Sequence, residues 1–281
     1  MAESRYYRPH TLDEALHILA QQGGSILSGG TDFFPSLGER PVSGSVVDIS
    51  TVGSMRGTVS TAQEHRIGGL TTWSEVIASP LPSCFDALKS AAREIGGIQI
   101  QNRGTVAGNL CNASPAADGV PPLLALDAEV ELTSAASMRR VPLSKFIIGN
   151  RKTLRRPDEI LTAVVVPRLL DDAKSCFLKL GARRYLVISI AMVAVVIKTE
   201  LDGRITDARV AVGACSASAQ RIGTLERELV GVAAKVGIGK LVRRDHFSSL
   251  APIDDVRATA DYRMHAVQIL VSRALDDSVR S

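Results

Sequence analysis

Apolar residues at Leu12, Ala15, Leu16 and Leu19 recur at the spacing of one helical face and predict a helix over 11–22. Thr11, with Glu14 three residues on, has the form of an N-terminal capping box, and Gly23-Gly24 stops the run. "SILS" (25–28) and "SVVDIS" (45–50) read as short buried strands, so the first 50 residues read β-α-β. Residues 56–70 alternate as two short strands. The segments 71–79 and 84–95 read as helices, and "VPPLLALDAEVELTS" as a short helix running into a strand. Further strands are predicted over 138–142 and 159–166. Pro167 and the polar "LLDDAKS" (169–175) then change the pattern. Strands over 176–182, 188–199 and 204–213, with "ELDG" as a hairpin turn, precede helices over 219–231, 236–248 and 256–276. Strands followed by helices indicate an α+β module.

The 281 residues are 45% hydrophobic, enough for about two domains. Aromatic residues make up 4%, so the core rests on Leu, Ile, Val and Ala. The formal charge is +4 and the basic doublets are scattered, which argues against a nucleic-acid face. Cys84, Cys111, Cys176 and Cys215 lie far apart and form no metal-ligand spacing. Buried, reduced cysteines are expected. The stretch "MAESRYYRPH" has no apolar signal core, and "YLVISIAMVAVVI" (185–197) is too short to span a bilayer. A soluble, cytoplasmic protein is expected.

Two glycine-bearing stretches carry the chemistry. In "SILSGGTDFFPSL" (25–37) a strand leaves through Gly29, Gly30 and Thr31 toward a helix start. Backbone N–H groups there suit a phosphate, and Thr31 adds a hydroxyl donor. Asp32 repels phosphate, so it is expected to cap local N–H groups or accept from a sugar hydroxyl. In "IGGIQIQNRGTVAGNLCNASPAADG" (95–119), Gly104, Gly108, Asn109, Asn112, Ser114 and Asp118 alternate with small residues. So many small polar groups point to a polar ligand. A ligand with a diphosphate and a polyol, a dinucleotide outside the Rossmann scheme, fits both stretches.

These two stretches, with "GNRKTLRRPDEILTAVVVP" (149–167) and "FLKLGARRYLVISIAMVAVV" (177–196), resemble the flavin subunit of molybdenum hydroxylases. That is the xanthine dehydrogenase and carbon monoxide dehydrogenase family. The resemblance implies an α+β protein. A PCMH/vanillyl-alcohol-oxidase-type FAD-binding domain would occupy about residues 1–168, in subdomains of about 1–55 and 56–168. A C-terminal α+β domain, a small antiparallel sheet with helices, would occupy 172–281. Leu27, Ser28, Gly29, Gly30, Thr31, Asp32 and Phe33, with Thr105, Val106, Ala107, Gly108 and Asn109, would hold the FAD diphosphate. Ser114 and Asp118 would serve the same cofactor, Asp118 at its hydroxyls. Ile95, Leu161 and Lys179 would contact FAD. The loop Gly181 to Tyr185 would lie by the isoalloxazine, with Tyr185 stacking on it or bonding to it. FAD would be non-covalent, because Thr31 and Asp32 stand where relatives with a covalent flavin place His or Cys.

The implied role is an electron-transfer oxidoreductase subunit with no catalytic residue and no metal ligand of its own. A large molybdopterin subunit and a small subunit with two [2Fe-2S] clusters would be its partners, in a dimer of heterotrimers. NAD, oxygen or a quinone-linked acceptor would take the electrons. Two alternatives are a stand-alone flavin oxidoreductase using Tyr185 for acid–base chemistry, and a cofactor-free scaffold. Cys111 is expected as a small residue filling a tight turn, and Trp73 as a packed, half-buried side chain.

Overall fold

The computed structural model describes residues 4–280. Met1 to Glu3, part of the polar N-terminal stretch, and Ser281 lie outside the described residues.

The chain opens with β1 (Tyr6–Tyr7), α1 (Leu12–Gln22), β2 (Ser25–Leu27), the one-turn α2 (Phe33–Leu37) and β3 (Val46–Asp48). The three strands make a parallel sheet in the order β1-β3-β2. Helix α1 covers it with Ala15, Leu16 and Leu19 packed against Val47 and Ile49. Thr11 caps α1 by accepting from the Glu14 N–H, while Glu14 reaches back to the His10 N–H, one residue earlier than a capping box requires. Strand β1 has no counterpart in the sequence reading, because two residues carry no periodicity.

A second sheet follows. It contains β4 (Thr58–Ser60), β5 (Glu64–Gly68), β6 (Glu129–Thr133), β7 (Met138–Pro142) and β10 (Ile160–Pro167), in the order β4-β5-β10-β6-β7. Helices α3 (Trp73–Ala78), α4 (Asp86–Glu94), α5 (Ile98–Gln101), α6 (Val106–Asn112) and α7 (Val120–Ala125) lie between β5 and β6. The short α8 (Leu143–Phe146) and the hairpin β8 (Ile147–Gly149) and β9 (Lys152–Thr153) complete this part. The sheet's apolar face, with Ile67, Val130, Leu132 and Val164, packs into the main core. Its other face carries a charge ladder in which Arg66 and Arg140 pair with Glu131 and Glu64. A bulge at Leu161/Ala163 interrupts the pairing of β10 with β6.

The last part holds β11 (Lys174–Leu180), β12 (Ala191–Thr199), β13 (Ile205–Gly213), β14 (Gln220–Arg221), α9 (Gly223–Leu229) and α10 (Ala260–Ser278). Its four strands pair antiparallel in sequence order. Strand β12 explains its own unbroken apolar run. Met192, Ala194 and Val196 face the core shared with α4 and α7, while Ala191, Val193, Val195 and Ile197 face the core under α9 and α10. A strand covered on both faces has no polar side to alternate with.

The expected helix over 219–231 begins instead with β14 and continues as α9, after the Ile222 N–H is taken by the Val210 carbonyl. The expected helix over 236–248 is corrected. The chain makes two 3-10 turns there, Ile238–Leu241 and Arg244–Phe247, and the Asp276 carboxylate takes the N–H groups of Gly237 and Gly239.

Buried Arg263, on α10, donates to the carbonyls of Ile190 and Ala214 and pairs with Asp255. Arg263→Met would leave both carbonyls and the carboxylate without this partner. We expect a loss of about 3–5 kcal/mol in chemical denaturation.

Candidate cofactor site

The carboxyl end of β2 and the start of α6 pack against each other and both line a cleft of about 480 Å³. Two contacts hold the two stretches together. Gly29 lies so near the second stretch that a Cβ there would stand 2.0 Å from the Arg103 carbonyl oxygen. The Ser28 and Thr105 hydroxyls are 3.2 Å apart. Thr105 also caps α6 by accepting from the Gly108 N–H at 3.0 Å. A Cβ on Gly108 would press on both hydroxyls. Gly29 and Gly108 are therefore required by the packing of the two stretches on each other.

Gly30 has a different reason. Its φ of +76° lies in the left-handed region, and a Cβ there would meet the Phe34 ring. The turn it forms leaves the backbone N–H groups of Gly29, Gly30, Thr31 and Asp32 without an acceptor among the described residues. Asp32 precedes α2, yet its carboxylate caps no N–H, contrary to the capping expectation. Helix α2 is one turn long and adds little dipole. The free amides carry the anion-binding capacity here.

The cleft wall contains Ser28, Gly29, Gly30, Thr31, Asp32, Phe33, Ile95, Thr105, Ala107, Gly108, Asn109 and Leu161 of the expected set. The bulge in β10 lies beside Leu161, whose carbonyl is packed against Gly69. The side-chain oxygen of Asn109 is buried in the wall and finds no donor among the described residues. Trp73 is 1% exposed and lines the wall at the same time, against the expectation of half-burial. Cys111 lies in α6 and not in a tight turn, and burial pushes its thiol up to about 11, so it is no thiolate at neutral pH.

The remaining residues stand elsewhere. Leu27 and Val106 are buried behind the wall. Ser114 accepts from the Ala116 N–H in the turn after α6. Asp118 and Lys179 pair with each other at 2.6 Å, both nearly buried, and neither lines the cleft. Burial pushes the Asp118 carboxyl up, against the pull of the Lys179 ammonium and the Ser189 hydroxyl. Tyr185 is 61% exposed beneath the Arg184 guanidinium and also lies outside the wall.

Arg151 and Arg155 belong to the wall and were not singled out by sequence. Arg155 donates to three carbonyls of the 156–159 turn. The signal lay in "GNRKTLRRPDEIL", where arginine spacing alone does not separate a cleft residue from a surface one. Among the described residues, no group of three or more His, Cys, Asp or Glu side chains could hold a metal ion. None of the helices there is long and apolar enough to cross a membrane.

Amides without an acceptor among the described residues, hydroxyls, two arginines and apolar side chains line a cleft suited to an anionic ligand. The comparisons give its class. The family model for the FAD-binding domain in molybdopterin dehydrogenase matches residues 2–169, and that for the CO dehydrogenase flavoprotein C-terminal domain matches residues 177–278. The chain belongs to the FAD-binding subunits of the molybdenum hydroxylases, the xanthine dehydrogenase and carbon monoxide dehydrogenase family. It is 30% identical over 274 residues to the nicotine 6-hydroxylase medium subunit of Paenarthrobacter nicotinovorans, covering 96% of this chain and 95% of the relative. It is 28% identical over 279 residues to a xanthine dehydrogenase FAD-binding subunit of Escherichia coli O157:H7, covering 98% and 95%. A chain in the solved structure of carbon monoxide dehydrogenase from Hydrogenophaga pseudoflava superposes with a TM-score of 0.89. That match has 26% identity and covers 98% of this chain and 97% of that one.

Gly29→Ala tests the packing of the cleft. The methyl group meets a backbone oxygen that cannot swing away. We expect at least about 2 kcal/mol less stability together with a lower flavin-to-protein absorbance ratio.

Proposed function

We propose that the cleft holds FAD without a covalent bond, with the diphosphate on the Gly29–Asp32 turn. The observation that carries this reading is the run of four amide N–H groups with no acceptor among the described residues, in one cleft lining with the Ser28 and Thr105 hydroxyls. Asn109 offers its unpartnered oxygen to a donor such as a hydroxyl. Asp32 is placed to accept from one, since its carboxylate has no local N–H to cap. Ile49, Leu70, Trp73, Ile160 and Leu161 keep water from the ring. Arg151 and Arg155 offset the diphosphate charge. Bound there, FAD supplies a ring system that takes up single electrons and gives them on in pairs.

The assembly proposed has three kinds of subunit. A large molybdopterin subunit oxidises the substrate, a small subunit carries two [2Fe-2S] clusters, and this chain is the exit to an external acceptor, NAD, oxygen or a quinone. Two such heterotrimers would pair. The cofactor domain would span about 1–168, in parts 1–55 and 56–168, and the C-terminal domain 172–281; the change of sheet between Pro167 and Lys174 supports this division. Four unpaired cysteines support a cytoplasmic location.

An absorbance spectrum of the protein, purified with its companion chains, tests the role. Flavin and iron–sulfur bands together are expected, and bleaching by added NADH would identify NAD as acceptor. Flavin without any companion or iron–sulfur signal would favour the stand-alone oxidoreductase.

Gly30→Leu tests the turn. A leucine would be forced left-handed, at a cost of about 1–2 kcal/mol, and into the Phe34 ring. We expect FAD retention to fall at least about tenfold with most of the fold kept, read by FAD titration and circular dichroism.

A further inference from the structure

Asp118 and Lys179, expected from the sequence as cofactor contacts, also bond to each other. Asp118, on the second glycine-bearing stretch, accepts from Lys179 Nζ at 2.6 Å with one oxygen and from Ser189 Oγ at 2.5 Å with the other. These two donors are not arbitrary neighbours. Lys179 lies near the end of β11, and Ser189 stands two residues before β12. Between them runs the loop Gly181–Ile188, closed at its base where the Ile190 N–H donates to the Leu180 carbonyl. One carboxylate therefore holds both stems of one loop, from another part of the chain.

We propose that Asp118 is a positioning residue that clamps the 181–188 loop onto the cofactor domain, and that it acts on the site through this loop.

Three features give the clamp something to hold. Lys179 Nζ also donates to the Glu94 carbonyl at 3.3 Å, at the last residue of α4, so its charge sits at a helix C-terminus. The next residue, Ile95, is in the cleft wall. The loop leans on the same segment, since a Cβ on Gly97 would stand 3.1 Å from Leu186 Cδ2. Within the loop, Leu186 is held at φ +51°, a strained value for leucine, and its carbonyl accepts from the Arg183 guanidinium. A strained exposed loop needs fixed stems. With Lys179 and Asp118 both under a tenth exposed, water does not compete for the clamp. The loop presents Arg184 and Tyr185 to solvent. That an electron acceptor arrives at this loop rests on the proposed function; the clamp itself rests on the geometry alone.

Limited trypsin digestion reads the clamp directly, because Arg183 and Arg184 offer cleavage sites in the loop and cutting needs local opening. The purified protein is compared with Asp118→Asn, which keeps the shape, and Ser189→Ala, which removes one strut and keeps the ion pair. Products are assigned by mass spectrometry and flavin content is measured on the same samples. Cutting after Arg183 or Arg184 is expected to speed by about tenfold in both variants, with other sites unchanged, as for loss of one hydrogen bond to a charged group. Should Asp118→Asn fail to fold, Ser189→Ala decides alone. Unchanged cutting in the loop overturns the proposal. Unchanged cutting with flavin lost from Asp118→Asn also overturns it, and returns Asp118 to a direct cofactor contact. A wild-type protein that binds no flavin would defeat the proposed function, while the cutting rates would still decide the clamp.

Discussion

Gly29 meets the carbonyl of Arg103 at a distance that leaves no room for a methyl group. This close approach joins residues 74 positions apart in the chain and packs the two glycine-bearing stretches against each other. Around it the Ser28 and Thr105 hydroxyls pair, α6 begins, and the turn at Gly30 is pressed into the left-handed region. The turn's amides are left without an acceptor among the described residues. A side chain at Gly29 would not simply crowd a ligand. It would separate the two surfaces that make the ligand's site.

The same economy governs the lower half. The core under α3, α4 and α7 continues into one face of β12, so the C-terminal sheet is also a wall of the cofactor part. The Asp118–Lys179 pair crosses that wall. Breaking either contact disturbs both sides, which is why a buried ion pair here is a positional device more than a source of stability.

Much of this was legible in the residues. The stripe of α1, the strands around Gly68 and the two-faced run of β12 follow from periodicity and burial. The two glycine-bearing stretches could be read as one ligand site because small polar residues recur there without a core purpose. What stayed hidden has physical causes. Two-residue strands carry no pattern. The segment 236–248 has helical spacing, but the N–H groups of Gly237 and Gly239 are taken by Asp276 from α10, a tertiary contact no local window contains. Gly29 and Gly30 look alike in sequence, yet one is fixed by a neighbour's carbonyl and the other by its own φ. Asp118 and Lys179, read from the sequence as cofactor contacts, also pair with each other, a contact between residues 61 positions apart that no local window contains.

The central claim is that the first turn recognises a diphosphate. Titration of flavin-free protein with FAD, FMN and riboflavin, followed by flavin fluorescence, tests it most directly. The account predicts tight binding of FAD, at least about a hundredfold weaker binding of riboflavin, and competition by ADP, since the free amides and arginines grip charge. Equal affinity for riboflavin and FAD, or indifference to ADP, would contradict it.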